Sequence, residues 1–372
     1  MNLSMFHVDP PTEPVPVVVW GSGNMGRAAV RAVAENPGLR LTALLVANPE
    51  KVGRDAGELA GTVELGVAAT DDVEAALATL EGAGAVAYTC SGELRPDDAV
   101  ADMARALRGG AVVVSPSVYP LYDHTHAPPE VRSPIAEACA EGGAAFFASG
   151  IDPGWGNDLL PVLATGLSGH VDVLRCQEIF DYSTYDAPDA VRYIVGFGEP
   201  MDYEPPMVAP GIPSMVWGGQ VRLIARALGL EVSELREEVE RVPLEADVTN
   251  EMGLFTAGSQ GGLRFEVQGV VDGEVRIVVE HVTRIAPEAA PQWPQAPDGQ
   301  SAHVVVVEGT PSLRLSIEAT AEDGNRSAGG NQTAANRLVN AIGWLRTAEP
   351  GLYDGLQVPL SVGLGQRPGA GS

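Results

Sequence analysis

The segment Val17-Val18-Val19-Trp20-Gly21-Ser22-Gly23-Asn24-Met25-Gly26-Arg27 limits what this chain can fold into more than any other stretch. The apolar run from Val15 to Trp20 has the length and composition of a short buried strand. It breaks at glycines spaced G-x-G-x-x-G, and an amphipathic pattern follows with Met25, Ala29, Val30 and Val33 on its inner face. Between a strand and a helix each glycine has a steric reason. Gly21 permits the tight turn, Gly23 leaves the backbone open to a pyrophosphate, and Gly26 lets helix and strand pack closely. The helix start adds N–H groups and a positive dipole end. The segment therefore predicts a dinucleotide cradle formed by Gly21, Ser22, Gly23, Asn24, Met25 and Gly26. A ligand-free strand–helix turn is the plain alternative, and the flanking strand and helix argue against it.

The second strand, Leu41 to Val46, bears on which dinucleotide is held. NAD-specific domains carry an acid about 20 residues past the glycines, on the ribose hydroxyls. Here the strand runs into Ala47-Asn48-Pro49-Glu50-Lys51-Val52-Gly53-Arg54, with no acid at its tip. A neutral donor, Asn48, with the cations Lys51 and Arg54 behind it suits a 2′-phosphate, which favours NADP(H) over NAD(H). Glu50 is the residue that speaks against this, and ordinary solvated charges are the alternative reading of Lys51 and Arg54.

From there strands alternate with helices. Strands are expected at Val67–Ala69, Ala85–Thr89, Ala111–Ser115 and Ala144–Ala148, and helices at Asp72–Leu80, Pro96–Leu107 and Pro134–Ala140. That alternation implies βαβ units and a parallel sheet, a Rossmann-type α/β domain over residues 1–150. Residues 151–330 read as an α+β domain for substrate and oligomerisation, with a mostly antiparallel sheet. Its expected strands are Val171–Tyr182, Leu263–Val271, Glu274–Ile285, His303–Val307 and Ser312–Thr320. Asp272-Gly273 is the strongest hairpin signal. Helices are expected at Val216–Leu228 and, capped by Ser233, over Ser233–Glu240. An open sheet of this kind has a face to cover, which makes a homodimer or higher homo-oligomer plausible. Gly324–Gly330 reads as a loop, Thr333–Leu345 as a helix within a 331–360 segment returning to the first domain, and Gly365–Ser372 as a flexible tail.

Composition removes several function classes. A net charge of 23 − 49 = −26 repels a phosphate backbone or an anionic membrane surface. No run approaches the ~20 apolar residues of a membrane span. Met1 to Pro14 lacks a basic region followed by an apolar core, so it reads as a short arm, and the expected location is the cytoplasm. The three cysteines, Cys90, Cys139 and Cys176, have no metal-ligand spacing, and their odd number argues against a disulfide framework. Lys51 is the only lysine, which nearly excludes Schiff-base chemistry by a core lysine.

Ligands of parallel sheets lie beyond the C-terminal strand ends. Two loops there are rich in reactive groups. One is Cys90-Ser91-Gly92-Glu93; the other runs from Ser115 through Tyr119, Tyr122, Asp123 and His124 to His126. Glu93, Tyr119, Asp123 and His124 are the candidates for chemistry, with a solvated loop edge as the alternative for Asp123 and His126. Next, Asp152-Pro153-Gly154 is turn chemistry. Asn157 or Asp158 is placed to cap a helix through Leu159, Leu160 and Leu163, and Trp155 between glycines is expected to face a cavity. The run Gln177-Glu178 followed by Asp181 to Tyr185 is dense in hydrogen-bonding groups.

Four stretches together resemble the dihydrodipicolinate-reductase-like superfamily. They are the Gly21–Arg27 loop, Pro49–Gly53, Gly150-Ile151-Asp152-Pro153-Gly154 and the Asn331–Ile342 helix. Within the superfamily they are most similar to the 2,4-diaminopentanoate dehydrogenase and native amine dehydrogenase group. The resemblance implies NAD(P)-dependent interconversion of an amine with a ketone or aldehyde plus ammonia. It also implies a substrate pocket between the domains, walled by Asp152, Trp155 and Tyr182 or Tyr185. The superfamily's His-His and lysine stretch for lysine biosynthesis is absent. The group's ammonia-binding glutamate is expected in the loop after the fifth strand, where this chain reads Ser-Pro-Ser-Val-Tyr-Pro; Glu93, Asp123 or Asp152 is left to supply the charge.

Hydride transfer asks the protein to position and polarise the acceptor. A C=N acceptor wants a carboxylate near its iminium; a C=O acceptor wants a proton donor such as Tyr119, Tyr122 or His124. The chain offers both, so an NADPH-dependent carbonyl reductase is the alternative on the same scaffold. A non-catalytic dinucleotide sensor is the alternative from another class.

Overall fold

The computed structural model describes residues 6–7, 13–93, 95–185 and 187–365. The expected arm lies outside these over 1–5 and 8–12, and the expected tail over 366–372. The described chain forms two compact units. One runs to Ile151 and resumes at Asn331; the other takes Asp152–Gly330.

The first unit is built on a seven-stranded sheet. Its order is Gly351–Tyr353, Ala145–Ala148, Val112–Ser115, Ala85–Tyr88, Val15–Trp20, Leu39–Leu45, Ala69–Thr70. Every pairing is parallel. A parallel sheet is covered on both faces, so its strands read as unbroken apolar runs. Val17 and Val19 belong to one core with the Asn24–Glu35 helix. Val18 and Trp20 belong to the other, with the Pro96–Arg108 and Pro129–Gly142 helices. The strand order reverses between Val15–Trp20 and Ala85–Tyr88, the switch point at which such sheets bind ligands.

The helix Arg326–Leu345 closes the first core with Ala335, Leu338, Val339, Ala341, Ile342 and Leu345. It starts earlier than the sequence suggests, taking in most of the expected Gly324–Gly330 loop. Asn325 explains the start, its side chain accepting from the Ala328 amide at 2.9 Å. Gly329 explains the small residues, since a Cβ there would meet the Ala319 carbonyl oxygen at 2.7 Å.

The second unit carries a six-stranded sheet of order Leu313–Ile317, Ala302–Thr310, His170–Asp181, Glu274–Arg284, Gln260–Val271, Glu234–Pro243. Only His170–Asp181 against Glu274–Arg284 is parallel; the other pairs are antiparallel. The Asp272-Gly273 turn has φ of +53° and +84°, as a two-residue type I′ hairpin requires. One expectation fails here. Ser233–Glu240 is not a capped helix, because Glu234–Pro243 is the sheet's edge strand. Its glutamates and arginines favour a helix locally, but ladder pairing with Gln260–Val271 and the cross-strand ion pair Glu240–Arg264 at 2.6 Å prevail. Charges along an edge also discourage pairing with further strands.

Successive strand residues face opposite sides, and Glu280 and His281 show what that separates. Glu280, 1% exposed, accepts from Arg175 and Arg264 at 2.7 Å each and from Gln177 at 2.9 Å. Glu266 joins both arginines at 2.7 Å. Burial opposes the Glu280 charge, but the two guanidiniums outweigh it and hold the carboxyl below its usual range. His281 belongs to a different cluster on the other face.

Candidate functional site

The glycine turn of the first unit has the shape that the sequence predicts. Gly21 sits at φ +118°, and a Cβ there would strike Thr89 Oγ1 at 2.7 Å. Gly26 lies so close beneath it that a Cβ would come within 2.0 Å of the Gly21 carbonyl oxygen. Gly23 differs: a Cβ would meet nothing within 4 Å. Two glycines are therefore explained by packing of the protein on itself, and the third by open space. That space belongs to a cavity of about 370 Å³ lined by Ser22, Gly23, Asn24, Arg27, Lys51 and Arg54. Lys51 reaches back over the turn, its Nζ donating to the Ser22 carbonyl and hydroxyl at 3.1 Å each. A cationic mouth over a side-chain-free bend at a helix N-terminus fits a dinucleotide's phosphates.

The remaining expected cofactor residues play smaller parts. Asn24 Oδ1 accepts from Arg27 Nη2 at 2.5 Å. Met25 packs against the core, so only its backbone faces the turn. Asn48 caps the Pro49–Lys51 turn, its Oδ1 accepting from the Glu50 amide at 2.9 Å. Arg54 pairs with Glu58 at 2.7 Å.

The two loops after the fourth and fifth strands pack on one another. A Cβ on Gly92 would meet the Val118 nitrogen at 2.8 Å. Ser117 donates to the Cys90 carbonyl, and Ser115 to that of Tyr88 at 2.9 Å. Val118 is held at φ +61°, a conformation that is rare for a β-branched residue and persists where neighbours enforce it. The result delivers the Tyr119 hydroxyl to Glu93 Oε1, while Ser91 donates to Oε2. Burial, then the Asp102 charge, pushes the Cys90 thiol up, which disfavours its thiolate.

Asp123 and His124 are directed elsewhere. Asp123, 3% exposed, accepts from Thr125 at 2.7 Å and lies 2.8 Å from His126 Nδ1. His124 Nε2 faces Gln357 Oε1 at 3.2 Å and Asp354 at 3.9 Å. Of the four residues that the sequence nominates for chemistry, the structure brings Glu93 and Tyr119 together and engages the other two separately.

In the second unit Asp152 lies at the centre of a buried cluster. The Gly154 amide donates to Asn157 at 2.8 Å and fixes the turn that bears it; Asp158, not Asn157, caps the next helix. Trp217 Nε1 donates to Asp152 Oδ1 at 2.6 Å. His281 Nε2 sits 3.0 Å from the same oxygen and 2.9 Å from Glu178 Oε2. Phe265 stacks on the imidazole at 4.6 Å between ring centres, and Trp217 lies 4.3 Å away. Burial works against the His281 charge, yet Asp152 and then Glu178 outweigh it and raise its pKa to about 10. The same pairing holds Asp152 below its usual range against the opposing effect of burial. His303 also faces this carboxylate.

Tyr182 and Tyr185 stack at 4.9 Å, with Phe197 edge-on to Tyr182 at 5.9 Å. Trp155 is half-buried. Sequence reasoning missed Trp217, His281 and His303, and noted Glu178 without assigning it a role. The available signal was a polar pair, Glu280-His281, between the apolar run Ile277-Val278-Val279 and Val282; nothing local told that Glu178 is its neighbour in a parallel ladder.

Comparison with known proteins gives concordant matches. Residues 15–92 match the dihydrodipicolinate reductase N-terminus family, and residues 158–367 match the 2,4-diaminopentanoate dehydrogenase C-terminal domain. An amine dehydrogenase of Streptomyces virginiae is 61% identical over 356 residues, 95% of this chain and 98% of that protein. The 2,4-diaminopentanoate dehydrogenase of Acetoanaerobium sticklandii is 26% identical over 235 residues, 62% of each. In fold, the chain is similar to the amine dehydrogenase structure from Mycobacterium smegmatis, with a TM-score of 0.73, 19% identity and coverage of 95% of this chain and 98% of that one. Among the described residues no helix is long and apolar enough to cross a membrane.

Proposed function

The chain belongs to the 2,4-diaminopentanoate dehydrogenase and amine dehydrogenase family, an oxidoreductase acting on CH–NH2 groups, and from that premise we propose that it prefers NADP(H) and interconverts a small primary amine with its ketone or aldehyde plus ammonia. In the reducing direction the carbonyl and an ammonium ion condense to an iminium and water. One hydride, the contribution of bound nicotinamide, then gives the neutral amine.

This chain's residues supply the rest. The Gly21–Gly26 turn binds the diphosphate, and Gly23 provides the room for it. Lys51 would hold the 2′-phosphate. Tyr119, hydrogen-bonded to Glu93, passes protons between the reacting oxygen and the carboxylate.

The observation that carries the cofactor preference is Lys51 Nζ, 3.1 Å from both oxygens of Ser22, at a strand end that has no acid. Lys51→Ala tests it. NADPH binding, followed by nucleotide fluorescence, should weaken roughly tenfold or more, the worth of a charge-assisted contact. NADH binding should change by less than about threefold. Equal loss for both nucleotides removes Lys51 as the phosphate reader. NADPH oxidation with simple ketones should require ammonia, and turnover indifferent to ammonia would favour the carbonyl reductase.

A further inference from the structure

We propose that Asp152, Glu178 and His303 form a binding site for a primary ammonium nitrogen, either ammonium itself or the charged nitrogen of the amine substrate. This assignment rests on the amine reading above and places the nitrogen in the second unit.

Geometry is the first argument. One carboxylate oxygen of Asp152, one of Glu178 and one ring nitrogen of His303 all lie within 4.8 Å of one another. Atoms that close together can all be reached from one point no more than about 2.8 Å away, 4.8 Å divided by √3, which is within the length of a charge-assisted N–H···O contact. A primary ammonium has at least three N–H donors, one for each corner.

Charge is the second. Two carboxylates share one imidazolium, His281, at 3.0 and 2.9 Å. The cluster is left one positive charge short, and a monocation makes up the difference. A divalent metal ion would overshoot and stand beside an imidazolium.

The third argument is a buried ring nitrogen with no partner, which becomes an acceptor when the imidazole carries its proton on the other nitrogen. His303 is 3% exposed, and among the described residues its Nε2 has no partner. Its ring is held edge-on by Phe180 at 5.5 Å. A buried ring nitrogen without a partner is costly unless a ligand completes it. Asp152 is likewise held in place, by the Trp217 donor at 2.6 Å, so the corner it supplies is fixed in advance.

The test uses the full chain with NADPH bound. Methylammonium chloride is titrated at constant ionic strength against tetramethylammonium chloride, which carries the same charge and no N–H. Tryptophan fluorescence and the thermal midpoint are followed. Methylammonium should give a saturating response and tetramethylammonium none. Glu178→Gln and His303→Phe should each shift half-saturation at least about tenfold. The phenylalanine variant keeps an aromatic ring against Phe180 and both carboxylates, so it stands in if loss of the Glu178 charge unfolds the protein. Equal responses to the two cations, or wild-type titrations in the folded variants, overturn the site. If ammonia-dependent turnover is intact, such a result overturns the site alone. Ketone reduction that ignores ammonia overturns the amine reading and this site with it.

Discussion

The three glycines of the first turn can be separated by experiment, because the structure gives them different reasons to be there. Consider Gly23→Ala beside Gly26→Ala. Gly23 lies at φ −77°, ψ −165°, open to any residue, and its new methyl group would have no atom within 4 Å. Backbone entropy lost from the unfolded chain would stabilise the variant by about 0.4–1 kcal/mol, and the poorer helix cap would cost a similar amount. Thermal stability should therefore stay within a degree or two of wild type. The methyl group would stand where the proposed site takes a phosphate oxygen, and overpacking of that kind costs about 1–3 kcal/mol, roughly 5- to 150-fold in NADPH affinity. Gly26→Ala is the reverse case. Its methyl carbon would lie 2.0 Å from the Gly21 carbonyl oxygen and 2.6 Å from the carbonyl carbon, both backbone atoms that no rotamer change can move. The helix must shift, at about 1–3 kcal/mol or more, and the thermal midpoint should fall by about 2–4 °C for each of these. Thermal scans without nucleotide, paired with NADPH titrations, read both quantities. If Gly23→Ala binds NADPH within twofold of wild type, the turn is only a strand–helix connection, and the cofactor assignment falls.

Two further predictions concern the second unit. The His281 pKa is raised from 6.5 to about 10, so the folded protein holds that proton more tightly than the unfolded chain. The stabilisation is complete below the unfolded value and fades as pH rises through the folded one. Denaturation midpoints should fall between about pH 6.5 and 10, at most ~1.4 kcal/mol per pH unit, and His281→Gln should flatten this dependence; identical slopes for the two proteins would remove the imidazolium from the account. Glu280→Ala would leave two guanidiniums short of a buried partner and should cost about 3–5 kcal/mol in urea unfolding, against about 0.5 for the exposed Glu238 on the edge strand. Equal effects at the two positions would mean that the ion network contributes no more than a surface charge.

What the sequence made legible was local. The strand, bend and helix around Gly21 to Gly26 are contiguous, and their apolar period and glycine spacing are set by neighbours in the chain. The Asp272-Gly273 hairpin is of the same kind, since two residues at positive φ dictate the turn. The Ser233–Glu240 segment shows the limit. Its residues favour a helix in isolation, and only the distant Gln260–Val271 strand makes it an edge. The Asp152 cluster shows it more sharply. Asp152 stood out because it sits in a turn signature, but its partners come from three other elements: Glu178, Trp217 and His281. The parallel register that sets Glu178 against His281 leaves no trace in either strand's own pattern. Glu93 and Tyr119 fall between these cases. Each was conspicuous in its loop, while their contact depends on how the Val118 backbone is bent.

The position of the single lysine has a practical consequence. Its ε-amine is the only one in the sequence, and it lies over the glycine turn with its donors on Ser22. Reagents that attack side-chain amines would therefore act as a label for one location. The same selectivity makes lysine-directed attachment to a solid support a poor way to immobilise this enzyme, because the tether would be anchored in the mouth of the cavity proposed to take the coenzyme.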